Sequence, residues 1–303
     1  MADIDTKGQG LTDEAALAML KRERRANNAW HKFCRNKMAV IGLIIVAVMV
    51  AIAVLAPVIA PYDPNATDVA NMFKAPGAAP GHLFGTDEYG RDLLSRIMYG
   101  AQVSIFVAIG GTIVGAIIGI LLGLVAGFFG GIVDSVIMRV MDGMMAFPFI
   151  LLALILMTIL GTGAQNVILA IGIANVPSFA RVVRGQVHVV KNEEYCNAER
   201  VLGASGARIL FMHIFANAMS PVIVYFTLNI ASAIISEAAL SFLGLGITPP
   251  DASWGNILAG GKNCLQTAPH IASISGLFIL LTVLGFNLLG DGIRDVFDPK
   301  QKK

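Results

Sequence analysis

Most of this 303-residue chain is apolar, and the residues able to do chemistry are gathered in a few places. The densest is residues 195–217, YCNAERVLGASGARILFMHIFAN, which holds Glu199, Arg200, Arg208 and His213 with Gly203 and Gly206 between them. Carboxylate, guanidinium and imidazole within one helical pattern can pair, titrate or grip a partner. They do not assemble a catalyst: the chain has no GxxxxGK[ST] loop for phosphates, no HExxH metal pair and no GxSxG nucleophile elbow. An intramembrane enzyme would need a paired nucleophile and base, and none is legible. The stretch lies between an uncharged run, residues 143–180, and another apolar run, residues 216–236. A charged island with fixed glycines between two membrane-like runs suits mechanical work, as a handle for a soluble partner.

Elsewhere the polar residues are isolated. Glu237 lies near the end of an apolar run beside Ser236 and Ser241. An ionisable residue in a membrane span is a functional candidate by default. Glu237 can contact cargo or a coupling helix, or it can cap its helix and face the bundle. Asn175 and Asn229, with Ser178, Thr227 and Ser232, can line a pore for polar cargo, or each can bond to its own helix backbone. Cys34, Cys196 and Cys264 have neither zinc spacing nor a disulfide framework.

These residues need a scaffold, and composition says which. The chain is 56% hydrophobic and only 14% charged, where a soluble domain is about one quarter charged. With a mean hydropathy of +0.72, the expectation is an all-α polytopic membrane protein with six transmembrane helices. Residues 1–37 form a basic segment with no secretory cleavage site. Within it, residues 11–25 suit either an amphipathic helix on the membrane surface, anchored by Trp30 and Phe33, or a tail held near anionic lipid. Residues 38–60 are uncharged and long enough to span, at roughly 34 Å of helix, with Pro57 and Pro61 marking the end.

Residues 61–100 form a polar loop rich in Pro, Gly and Asp, whose Asp side chains suit turns and helix caps. Residues 101–290 then hold five spans. In the first of these, Gly111, Gly115, Gly119, Gly123 and Gly127 recur every fourth residue, a ladder that lets another helix backbone approach closely. Arg139 and Asp142 share a helix face and can pair. A charge at mid-membrane costs about 2.5–3.5 kcal/mol, so both belong at a span end or inside the bundle. The uncharged 143–180 run is too long for one span, and the 161–166 segment supplies a hairpin. Pro148 and Pro177 should kink their helices. Residues 181–217 form the next loop. The fifth span follows to about residue 240, then a loop to about 270, the sixth span to about 289, and a tail over 291–303.

Placing both termini in the cytoplasm puts eighteen of the 22 Lys and Arg residues inside, as the positive-inside rule requires. The same arrangement puts 61–100 outside and 181–217 inside.

Four segments resemble the dipeptide/oligopeptide ABC-importer permease family, in its C-component (DppC/OppC-like) branch. One is Gly85-Thr86-Asp87 followed by Gly90-Arg91-Asp92. The others are residues 236–256, SEAALSFLGLGITPPDASWGN, residues 286–300, and the island itself. The family's coupling motif is Glu-Ala-Ala, Gly and a later aliphatic-x-Pro. Here it falls on Asn197, Ala198, Glu199, Arg200, Gly203, Ala204, Gly206 and Ile214, with Asn197 in place of Glu and Ala216 in place of Pro. The resemblance implies a type I importer permease fold in a bacterial inner membrane. It implies a homologous second permease subunit, two ATPase subunits that carry the nucleotide chemistry, and an extracytoplasmic peptide-binding protein. It implies no cofactor and no nucleic acid. Cargo within the family includes dipeptides, oligopeptides, nickel chelates and glutathione. The alternative reading is a secondary transporter driven by an ion gradient, which would need acidic or His relays at mid-membrane.

Overall fold

The computed structural model describes residues 29–297. The proposed amphipathic helix over residues 11–25 lies outside them. Ten helices carry the fold, and among the described residues there is no strand, only an isolated bridge between Thr86 and Asp92.

A short helix α1, Ala29–Arg35, leads into α2, Lys37–Ile59. Asn36 sits between them and caps α2 by accepting from the N–H groups of Met38 and Ala39. The same side chain donates to Asp295 near the C-terminus, fixing the start of the first span to the end of the last. Pro57 lies inside α2 rather than ending it. Helix α3, Leu93–Phe129, starts eight residues before the expected position because Asp92 caps it. The Asp92 carboxylate accepts from the backbone N–H and hydroxyl of Ser95, while Asp87 accepts from Arg91 Nε at 2.7 Å. The Gly-Thr-Asp and Gly-Arg-Asp segments therefore build turns and a cap.

The third span is broken. Helices α4, Gly131–Met145, and α5, Phe149–Leu160, meet at 90°. Pro148 opens α5 and disfavours helical backbone in the residue before it. The bend lays α4 against α6, Ala164–Lys191. Asp142 consequently pairs with Arg181 at 2.8 Å, not with Arg139 as the spacing suggested. Asp134 is held by Arg184, with a 2.6 Å bond between Oδ2 and Nη2. Both arginines belong to α6, which continues through the start of the expected loop.

Helix α7, Glu194–Val201, stands alone before a continuous helical run over residues 206–242. That run begins with a π-helical segment, Ile209–Ile214, and becomes α8, Phe215–Phe242. Helix α9, Trp254–Asn263, occupies a segment expected to be loop, and α10, Pro269–Phe297, is the last span. Five continuous helical runs are long and apolar enough to cross a membrane, and the bent α4–α5 pair makes a sixth when taken as one span.

The most extensive helix pairing is α3 on α6. Its seam is the glycine ladder. A Cβ built on Gly115 would lie 2.8 Å from the Gly172 carbonyl oxygen, and one on Gly123 would lie 2.6 Å from that of Ala180. Gly111, Gly119 and Gly127 face Ile171, Phe179 and Val187 in the same register. Apolar burial drives no association inside lipid, so the backbone-close packing that these glycines permit is what stabilises the pair.

Candidate functional site

Helix α7 and the base of α8 form one unit over a separate apolar core. Leu124 of α3, Val183, Val187 and Val190 of α6, Cys196 of α7, and Ile209, Leu210, Ile214, Ala218 and Val222 pack together there. The ends of two spans, the short helix and the start of a third span thus share one set of buried side chains. Lys191 reinforces the junction by donating to the Phe128 carbonyl at the end of α3.

At the start of the 195–217 stretch the short helix runs over Glu194–Val201, and Gly203 explains its end. Gly203 has a φ of +82°, in the left-handed region that glycine adopts without steric cost. The Gly203 N–H donates to the Arg200 carbonyl and the Ala204 N–H to that of Glu199. That pair of bonds is a Schellman cap, which satisfies carbonyls left over at a helix end. Ala204 then packs on the core below, and Ser205 caps the following turn through the Arg208 N–H.

Along α7 the candidate residues divide between two faces. Cys196 is fully buried, and burial pushes its thiol pKa up. Burial also raises that of Tyr195, whose ring lies 6.5 Å from the His213 ring. His213 Nε2 is 3.6 Å from Glu199 Oε1, an ion-pair distance whenever the imidazole is protonated. Asn197 accepts from Arg200 Nη1 at 3.1 Å within the helix. The opposite face is open: Val201 is 88% and Leu202 82% exposed, an apolar tip on a polar helix. Gly206 lies against the Phe128 ring, and Ile214 is fully buried. Asn197, Ala198, Glu199, Arg200, Gly203, Ala204, Gly206 and Ile214 therefore fall in one place.

The remaining candidates lie in two other places. Asn229 of α8 donates to Asn175 of α6 at 3.2 Å and accepts from Thr112 of α3 at 3.4 Å. All three are buried. Thr227 bonds to the Ile223 carbonyl of its own helix. Glu237 is two helical turns further along α8 and completely enclosed. Its Oε1 accepts from Ser241 Oγ at 2.8 Å, and its Oε2 has no hydrogen-bond partner.

Sequence reasoning missed Thr112, a single hydroxyl in a glycine-rich helix, and the six-residue π segment at the base of α8. It also missed the role of Trp254. The Trp254 indole donates to the Ile97 carbonyl, its backbone N–H to Ser104 Oγ, and its carbonyl accepts from Ser275. One residue of α9 thereby fastens the N-terminal ends of α3 and α10. A signal for α9 was present: Ser253 and Asn256 form a reciprocal capping box at its start.

Comparison with known proteins gives this geometry a family. Residues 115–303 match the model of the binding-protein-dependent transport system inner membrane component, and residues 26–76 match the N-terminal transmembrane domain of oligopeptide transport permease C. The chain is 45% identical over 274 residues to the glutathione transport system permease protein GsiD of Shigella flexneri, covering 90% of each chain. It is 42% identical over 277 residues to the dipeptide transport system permease protein DppC of Alkalihalophilus pseudofirmus, again covering 90% of each. These matches do not favour the ion-gradient alternative. An ATPase and a substrate-binding protein are general partners of such permeases. The chain belongs to the binding-protein-dependent ABC permease family: it is a transport subunit of the type I fold, embedded in the membrane, and not an enzyme.

Proposed function

We propose that this chain is one of two homologous permease subunits of an importer for small peptides, glutathione included, and that helix α7 transmits the work of two separate ATPase subunits. Both termini and residues 181–217 face the cytoplasm. Residues 61–92 and α9 face the opposite side, where a peptide-binding protein delivers cargo. Similarity to glutathione and dipeptide permeases supports the cargo class. The excess of Lys and Arg at the α7 end supports the orientation.

The observation that carries the coupling role is the division of α7 into an exposed apolar tip, Val201 and Leu202, and a base locked by Cys196 into the core shared with α3, α6 and α8. An ATPase groove that takes the tip moves the base with it. The base is continuous with three spans, so closure of the ATPase pair biases the permease between its two arrangements.

The test is cross-linking from Val201→Cys and Leu202→Cys to co-expressed ATPase subunits in membranes. A cross-link whose yield changes with nucleotide is the expected result. No cross-link from either position in a complex shown to be assembled would end the coupling role. Uptake into vesicles with ATP held constant should survive a proton ionophore.

A further inference from the structure

At the end of the bundle where the chain enters and leaves its spans, Trp30, Phe33, Leu43, Leu289, Ile293, Val296 and Phe297 line an apolar groove of about 330 Å³. The groove is built rather than incidental. Trp30 and Phe33 stack at 5.9 Å with their rings 13° apart. Gly292 lets α10 close onto Ala39 and Phe33, and Gly42 lets α2 close onto Leu288. The Asn36–Asp295 hydrogen bond, 2.7 Å long, locks the two helices beside it.

The surroundings identify the occupant. Among the five continuous spans, α2 and α10 are the least covered, with only 28% of each apolar window buried, so the groove continues a surface made for lipid. The same helix ends carry Lys32, Arg35, Lys37 and Arg294. Two carboxylates, Asp291 and Asp295, oppose them, and Asn36 engages the second. Apolar walls below a cationic rim complement one chemistry, an acyl chain beneath an anionic headgroup.

We infer that this groove binds the acyl chain of an anionic phospholipid, whose headgroup is held by Lys32, Arg35, Lys37 and Arg294. Placing that lipid in the cytoplasmic leaflet rests on the orientation proposed above. The preference for anionic lipid does not.

The chain supplies its own probe. Of its two tryptophans, Trp30 lines the groove and is 64% exposed, while Trp254 is fully buried in the α9 cluster and gives the unquenched baseline. The full chain with its partner subunits is placed in nanodiscs of phosphatidylcholine containing a minor fraction of brominated phosphatidylglycerol or, separately, brominated phosphatidylcholine. The Trp30 signal is the difference from the same complex carrying Trp30→Phe, which cancels the tryptophans of the partners. Brominated phosphatidylglycerol should occupy the groove about fivefold or more in preference, from one or more effective cations. Lys37→Gln with Arg294→Gln should bring the two lipids close to parity, and Leu43→Phe should lower quenching by both.

Equal quenching by the two lipids, or a preference unchanged in the double variant, would overturn the site. Quenching by neither would mean that protein covers the groove, from this chain or a partner subunit, and would overturn it too. An impermeant maleimide reaching the exposed Cys34 from outside intact cells would overturn the orientation alone, because a nanodisc presents the same lipid on both faces.

Discussion

Asn229 on α8 donates its side-chain amide to Asn175 on α6 at 3.2 Å, and both side chains are buried. With Thr112 on α3 accepted by Asn229, three spans are joined where lipid supplies no alternative partner. The joined spans are those that share the core beneath α7, so the coupling proposed for α7 would act on helices already tied together within the bundle.

Replacing either asparagine by alanine should therefore lower thermal stability in detergent, and the two losses should not add. Hydrogen bonds between spans are worth about 0.6 kcal/mol on average and up to about 1.7. A double-mutant cycle over Asn175→Ala and Asn229→Ala should return a coupling energy in that range. Additive losses would mean that the pair does not act as a unit.

The glycine ladder makes a sharper stability prediction. A Cβ on Gly123 would meet the Ala180 carbonyl oxygen at 2.6 Å and Val183 Cβ at 2.7 Å, whereas one on Gly185 of α6 meets nothing within 4 Å. Gly123→Ala must push α3 off α6, an overpacking cost of about 1–3 kcal/mol. Gly185→Ala should stabilise by up to about 1 kcal/mol, because alanine surrenders less backbone entropy in a helix. Melting temperatures of the two variants should move in opposite directions, and equal shifts would show that the seam tolerates a methyl group.

Glu237 is the one buried side chain among the described residues with an oxygen left unpaired. It sits beside Ser104 of α3 and Ser253 at the start of α9, so its environment is the fastening of α9 to the bundle, not an open passage. Glu237→Gln keeps the size and an acceptor for Ser241, and should cost little. Glu237→Ala empties the site and strands the Ser241 hydroxyl, for a loss of about 2–5 kcal/mol. Limited proteolysis in the α9 loop, read with thermal melting, should separate the two. A glutamine variant as damaged as the alanine one would show that the second oxygen has a partner of its own in the assembled transporter.

How far the sequence could foresee this follows from the range of each interaction. Gly111 to Gly127 declare their face by a four-residue period, so the ladder was legible, although its partner helix was not. Asn175 and Asn229 stood out as polar residues in apolar helices. Thr112 did not, because the contact joins residues 117 apart and depends on how three helices cross. Gly203 was visible as a fixed point in a motif, and its Schellman cap supplies the physical reason. Helix α9 was obscured by the prolines before it and the glycines inside it, although Ser253 and Asn256 carried the capping signal. The π segment has no local signature, since its extra residue is absorbed between the buried Ile209 and Ile214.

The cysteines offer a test of burial and sidedness together. Cys34 is exposed, Cys264 half-buried and Cys196 fully buried, with its thiol pKa raised chiefly by desolvation and only partly offset by Arg200. Only the thiolate attacks maleimide, so a raised pKa means a smaller reactive fraction near neutrality and a rate that keeps climbing at higher pH. In solubilised protein Cys34 should label first. Cys196 should lag by much more than tenfold and gain most as pH rises past the ordinary thiol value of about 8.5. In sealed right-side-out vesicles an impermeant reagent should reach Cys264 and spare both Cys34 and Cys196. If Cys196 labels as fast as Cys34 near neutral pH, helix α7 is not seated on the core that is supposed to carry its movement, and the coupling proposal loses its mechanical basis.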